Sequence, residues 1–340
     1  MSVHEGNRQQ AFQRNERLED LLKELNGLLG DAEKRIDILP EKPAYPVVLV
    51  VGAPRSGTTL LVQWLAASGL FAVPTNLLSR FFGAPYIGAR IQQLLTDPAY
   101  NHQNELGDPA VMAIDYSSNV GKTKGMLQPN EFWYFWRRFI PNTDPEWITA
   151  DQERLIDGPG LLAGIAAIET AFLKPFATKG IILQYNLTCL QRLLGNVLII
   201  HTRRQPFFNI QSLLKARRDY FGDENRWFSV KPREYDLLKD LDPVAQVAGQ
   251  VYFTCQSIEG ELATMNECYG LAVDHESFCA SPEVFYDRLR EKLFILGYDM
   301  KATYRGPDRF DVHETVMVDT ERREAIRTAY EGFSGEPLVV

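Results

Sequence analysis

The chain has 340 residues, 45% hydrophobic and 24% charged, with 36 basic against 44 acidic side chains and a formal net charge of −8. That composition is ordinary for a globular protein with a substantial core in one large domain or two, and its acidic balance argues against a life on nucleic acid. No apolar run approaches bilayer-spanning length and no start resembles a signal peptide, so the expectation is a soluble, cytoplasmic protein.

Residues 1–40 read as an appendage. A polar start through Gln10 gives way to Leu18, Leu21, Leu22, Leu25, Leu28 and Leu29, which recur at helical spacing among acids and lysines and end near Gly30. Such a helix either packs across the domain or joins two copies of the chain as a homo-oligomer; the pattern is compatible with both. Pro40 to Pro46 resets the chain.

Five consecutive β-prone residues, Val47 to Val51, then enter Gly52-Ala53-Pro54-Arg55-Ser56-Gly57 and a helical pattern starting near Thr58. Strand, glycine-bearing turn and helix make a phosphate cradle: the glycines open backbone conformations closed to other residues, successive N–H groups converge, and the helix adds its positive end. A nucleoside-triphosphate loop would place Lys after the second glycine, but Thr58 stands there. The loop's own cation is Arg55, whose fork suits phosphate oxygens.

Gly69 to Pro74 reads as a short strand, and Asn76, Arg80, Tyr86 and Arg90 are pocket or surface residues. Thr96 to Pro129 is rich in Asn, Gly, Asp and Pro, the composition of long binding loops. Glu131 precedes Phe132-Trp133-Tyr134-Phe135-Trp136. Desolvation beside five aromatics would raise its pKa towards that of a general base, whereas a helix-start acid with aromatics in the core is the plainer alternative.

Gly160 to Phe176 has the spacing of a buried helix, Gly180 to Asn186 of a core strand, and Leu187 to Leu194 of a crossover helix. Val197 to Thr202 is a further buried strand, leading into a helix that carries a basic cluster, Lys215, Arg217 and Arg218, partly neutralised by Asp219, Asp223 and Glu224. The stretch to Pro243 has the look of a lid or acceptor wall. Gln246 to Glu261 is helical, Leu271 to Glu276 is a strand, and a helix follows Ser281-Pro282-Glu283. Cys189, Cys255, Cys268 and Cys279 are scattered, without metal-ligand spacing, and read as free thiols.

Pro54-Arg55-Ser56-Gly57-Thr58-Thr59 resembles the 5′-phosphosulfate loop of sulfotransferases that use 3′-phosphoadenosine 5′-phosphosulfate (PAPS). Arg204, seven residues and then Ser212 resemble the family's 3′-phosphate motif, with Pro206 at the proline of its turn. The resemblance covers roughly residues 45–300 and implies an enzyme moving a sulfuryl group from PAPS to a hydroxyl or amine of a small-molecule, carbohydrate or lipid acceptor. It leaves 3′-phosphoadenosine 5′-phosphate (PAP) as product and needs no metal. It implies that Arg55, Ser56, Gly57, Thr58 and Thr59 hold the 5′-phosphate, that Arg204 and Ser212 hold the 3′-phosphate, and that Glu131 and Arg55 are catalytic. Relatives often place Lys or Thr at the end of the strand read here as 180–186, where this chain offers Gln184, Tyr185 and Asn186. His275 stands where a Tyr near adenine often sits, and Arg305-Gly306 resembles a late Arg loop faintly. The alternatives are a non-catalytic protein that binds the same nucleotide, or a P-loop kinase or NTPase.

Strands alternating with helices specify an α/β fold, a three-layer α/β/α arrangement on a central parallel sheet, with ligands at the strands' carboxyl ends. The expected organisation is an N-terminal segment and helix (1–40), the α/β domain (41–300) and a C-terminal extension (301–340) packed on that domain.

Overall fold

The computed structural model describes residues 13, 15–105, 113–312 and 314–339, so the polar start expected through Gln10 lies outside the described residues. In chain order the elements are α1 (Glu16–Glu33), β1 (Val47–Val51), α2 (Thr58–Ala67), α3 (Pro85–Thr96), α4 (Trp133–Trp136), α5 (Ala150–Glu153), α6 (Gly158–Phe172), β2 (Ala177–Lys179), α7 (Leu187–Leu194), β3 (Val197–Arg203), α8 (Pro206–Phe221), α9 (Tyr235–Leu238), α10 (Pro243–Ala263), β4 (Gly270–Asp274), α11 (His275–Ala280), α12 (Pro282–Ile295) and α13 (Thr320–Ser334). The strands form one parallel sheet in the order β2-β1-β3-β4. Helices cover both faces, as the alternating pattern required.

Every residue of β1 is fully buried, because the strand is central and both its faces are covered. Val47, Leu49 and Val51 join a core with Phe135, Trp136, Leu161, Ile165 and Leu190 from α4, α6 and α7. Val48 and Val50 face the other way, onto Leu61, Trp64, Leu65, Phe278 and Leu289 from α2, α11 and α12. A third cluster joins α8, α10 and α13 through Phe207, Leu213, Val247 and Ile326, so the chain's last helix packs on the domain.

Three sequence expectations change. The strand read at 180–186 lies earlier: β2 is Ala177–Lys179, paired with Val48 to Val50, and Ile181–Leu183 is a 3-10 turn instead. The segment 69–74 makes a single bridge, Ala72 to Phe176. The helix expected to stop near Gly30 continues to Glu33. It docks through Asn26, which donates to the Arg80 carbonyl (2.8 Å) and accepts the Gly83 N–H, while also bonding back to the Leu22 carbonyl of its own helix (2.8 Å). Leu21, Leu25 and Leu28 on the same helix are exposed.

Candidate active site

Each carboxyl end of β1, β2 and β3 delivers one part of a cleft of about 1940 Å3. The β1–α2 turn is sharp: Arg55 sits at φ 72° and Gly57 at φ 96°. A non-glycine residue in the left-handed region costs on the order of 1 kcal/mol and persists only where its surroundings hold it. Here Asn209 of α8 donates to the Pro54 carbonyl (2.6 Å), and the Ser56 N–H to the Ala53 carbonyl (3.0 Å). No side chain caps α2 at Gly57, so the first N–H groups of that helix are offered to the cleft, which Thr58 and Thr59 line. A methyl group on Gly57 would collide with the His275 ring, which therefore lies directly against the turn.

The second motif meets the first. Arg204 Nη1 donates to the carbonyl of Arg55 (3.2 Å), and Arg55 Nε donates to Ser212 Oγ (3.3 Å). Residues 149 positions apart thus share one surface of the cleft. Burial, and then the charge of Arg204, draws the Arg55 guanidinium below its usual range; burial likewise lowers Arg204. Two partly buried cations brought together beside an uncapped helix end are an arrangement that favours an anion, although Asp219 acts on Arg55 and Glu276 and Glu314 act on Arg204. Ser56 is placed differently: fully buried, it does not line the cleft, and its Oγ pairs with Thr202 Oγ1 (2.8 Å), which also donates to the Val51 carbonyl (3.2 Å). Its side chain ties the two turns together from behind.

The correction to β2 brings in a residue that sequence reasoning missed. Lys179, the last residue of that strand, extends its ammonium to Glu131 Oε1 (2.7 Å) and to Thr59 Oγ1 (3.0 Å). Glu131 also accepts the Trp133 indole N–H. Burial pushes the Glu131 carboxyl up, but the charge of Lys179, hydrogen bonds from Lys179 and Trp133, and the charge of Lys122 outweigh it, so the pKa falls below the ordinary value. The expected upward shift is therefore reversed. Gln184, Tyr185 and Asn186 serve packing: Gln184 accepts the Gly52 N–H (3.3 Å), Tyr185 pairs with Thr254 (3.0 Å), and Asn186 accepts the Ile148 N–H (2.9 Å).

The aromatic run divides. Phe132, Phe135 and Trp136 are fully buried, the first two stacked at 4.6 Å, whereas Trp133 and Tyr134 turn to the cleft. Asn76 and Arg80 line it; Tyr86, Arg90 and Arg305 do not. The basic cluster on α8 is not part of it either. Lys215 pairs with Asp219, Arg218 with Glu224, and Arg217 is buried against Gln246 (2.7 Å) and the Trp227 ring (5.1 Å). Beyond Trp133, the far wall carries Asp144, Glu146, Trp227, Lys231 and Tyr235. Burial raises the Glu146 carboxyl to about 6, partly offset by the Lys231 N–H.

The four cysteines form no disulfide. Among the described residues no group of three or more His, Cys, Asp or Glu is arranged to hold a metal, and no helix is long and apolar enough to cross a membrane.

The family profile described as Sulfotransferase family matches residues 46–295. Among solved structures the chain is similar to the sulfotransferase STF9 of Mycobacterium avium, at 12% identity and a TM-score of 0.52 over 94% of this chain and 77% of that one. It is also similar to STF1 of Mycobacterium tuberculosis H37Rv, at 12% identity and a TM-score of 0.49 over 93% and 82%. No curated protein matches the sequence. At such identity the structural likeness is one of fold. The profile spans β1 through α12, and by that match the chain belongs to the sulfotransferase family.

Proposed function

We propose that the protein transfers a sulfuryl group from PAPS to an acceptor hydroxyl or amine. The observation that carries this reading is the meeting of Arg204, Arg55 and Ser212 over one cleft, beside the uncapped start of α2. These residues would hold an adenosine nucleotide phosphorylated at both ends: N–H groups and hydroxyls of Thr58 and Thr59 with Arg55 at the 5′ end, and Arg204 with Ser212 at the 3′ end. PAPS, when bound, supplies an activated sulfuryl group on its 5′-phosphate.

The chain's residues then divide the work. Glu131, ionised at neutral pH because Lys179 holds its pKa down, accepts the acceptor's proton. Its basicity is low, so its contribution is positioning as much as proton affinity. Lys179, bonded to both Glu131 and Thr59, bridges the donor side and the acceptor side, and its ammonium stabilises negative charge gathering on the transferred group. Arg55 does the same from the loop. Trp133 holds Glu131 and presents its ring to the acceptor space. The acceptor is a small-molecule, carbohydrate or lipid alcohol or amine.

The test is incubation with sulfur-labelled PAPS and an extract of the protein's own cells, followed by identification of the labelled product. Wild type should label an acceptor. Glu131→Gln should cut that labelling at least tenfold, in line with the usual contribution of a positioned base, while PAP binding measured by calorimetry stays intact. Labelling at the wild-type rate by that variant would remove Glu131 from the base role; binding without any labelled product would favour a non-catalytic nucleotide-binding protein.

A further inference from the structure

Residues 113–130 cross the mouth of the cleft as a strap fastened along its length. Gln63 donates to the Ser117 carbonyl (2.8 Å), Asn76 to Thr123 Oγ1 (3.2 Å) and the Gly125 carbonyl (2.9 Å), and Tyr116 meets Phe310 edge-on (5.0 Å). At its middle the chain reverses in a two-residue hairpin. The Asn119 N–H donates to the Lys122 carbonyl (2.8 Å) and the Lys122 N–H to the Asn119 carbonyl (2.9 Å), with Val120 at φ 51° and Gly121 at φ 81°. Positive φ at both central residues is the turn that matches strand twist, but a β-branched residue is a poor choice for it. Val120 is held there because its side chain packs against the cluster of Ala53 and Phe207, at the base of the cradle.

That docking puts the tip over the reacting groups. A Cβ on Gly121 would lie 3.6 Å from Lys179 Nζ, 3.7 Å from Thr59 Oγ1 and 3.9 Å from Arg55 Nη1. Three polar groups from three elements face this one point, and glycine leaves it open. The next residue, Lys122, holds its ammonium 5.4 Å from the Tyr220 ring centroid, and its charge reaches Glu131.

We propose that the Asn119–Lys122 hairpin is a donor clamp: it closes the site over the terminal sulfuryl group, with Gly121 leaving its space and Lys122 supplying a cation to its oxygens. This rests on the PAPS reading and deepens it. PAPS and PAP carry similar charge at the 5′ end near neutral pH, because the terminal phosphate of PAP is mostly doubly ionised. A preference for PAPS over PAP therefore reports contact beyond the phosphate. Lys179 and Arg55 supply part of that preference from the cleft floor, and the clamp's share is the part that disappears when Lys122 or Gly121 is changed and they are not.

The test needs no acceptor. Calorimetric titration of PAP and of intact PAPS into the whole protein is compared for wild type, Lys122→Met and Gly121→Ala. Wild type should bind PAPS more tightly than PAP. Lys122→Met, a change at an exposed residue, should weaken PAPS about tenfold or more, the loss of one charge-assisted contact, and leave PAP within about twofold. Gly121→Ala should act the same way, by occupying that space and by straining the turn at φ 81°, its unchanged PAP affinity certifying the fold. Equal weakening of both nucleotides by Lys122→Met, or undiminished PAPS binding, overturns the clamp while sparing the donor assignment. Failure of wild type to bind either nucleotide overturns both.

Discussion

Replacing Lys179 by Met should release the Glu131 carboxyl from the charge that holds it ionised. The ammonium is 2.7 Å from Glu131 Oε1, with the Lys side chain 8% and the Glu side chain 29% exposed, so the pair is shielded from solvent enough to matter. A hydrogen bond to a charged group contributes about 1.5–3 kcal/mol, and with Lys179 gone both that bond and the charge that chiefly holds the Glu131 carboxyl down are lost. Burial, the opposing influence, then prevails, and the Glu131 pKa should rise above its ordinary value. The sign of the stability effect reverses with it. In wild type the depressed pKa contributes stability present above the unfolded value and lost as pH falls through the folded pKa. In the variant the raised pKa contributes stability below the unfolded value that is lost as pH rises. Carboxyl 13C shifts of glutamate-labelled protein, with the Glu131 signal identified by its absence in Glu131→Gln, measure both midpoints. An unmoved Glu131 midpoint in Lys179→Met would refute the reasoning, for it would mean that the ion pair does not control the acid.

Arg204→Ala should weaken PAP by about tenfold or more, in line with loss of a charge-assisted contact. It should also erase the preference for PAP over adenosine 5′-phosphate in calorimetry; a retained preference would place the 3′-phosphate elsewhere. Glu169, 2% exposed, accepts the N–H groups of Ala44 (2.8 Å), Tyr45 (3.3 Å) and Phe176 (3.3 Å), yet burial raises its pKa to about 7. A raised folded pKa means stability present below the unfolded value near 4.5 and lost as pH rises through about 7, on the order of 3 kcal/mol. Denaturant titrations at pH 5 and pH 8 on wild type and Glu169→Gln isolate this contribution. The fall in stability between the two should be smaller in the variant, and identical falls would disprove it.

What the sequence disclosed was what local pattern can carry. Val47–Val51 and Val197–Arg203 are long apolar β-prone runs, so the two turns that follow them could be placed, and with them Arg55, Thr58, Thr59, Arg204 and Ser212. Lys179 was hidden because β2 is only Ala-Thr-Lys, a sequence with little intrinsic strand preference that becomes a strand by pairing with Val48 to Val50. The Ile181-Ile182-Leu183 run just beyond it has the stronger β signal and is a 3-10 turn instead, with Ile181 packed beside Tyr185 and Val230. The one-word clue was a lysine at the edge of an apolar stretch after a helix. Glu131 was legible as an unusual acid, but the direction of its pKa shift depended on a partner 48 residues away. On α8 the neutralising acids Asp219 and Glu224 were legible nearby in the sequence, but Arg217 also bonds Gln246 and Gln250 of α10, and no periodicity announces that.

The Ser56–Thr202 hydroxyl pair lies behind the two turns, and β1 runs beside β3 with Val51 opposite His201. The separation between the two turns is therefore a property of backbone register, fixed by the sheet's own ladder. Loops on the opposite wall can change their sequence without altering that spacing.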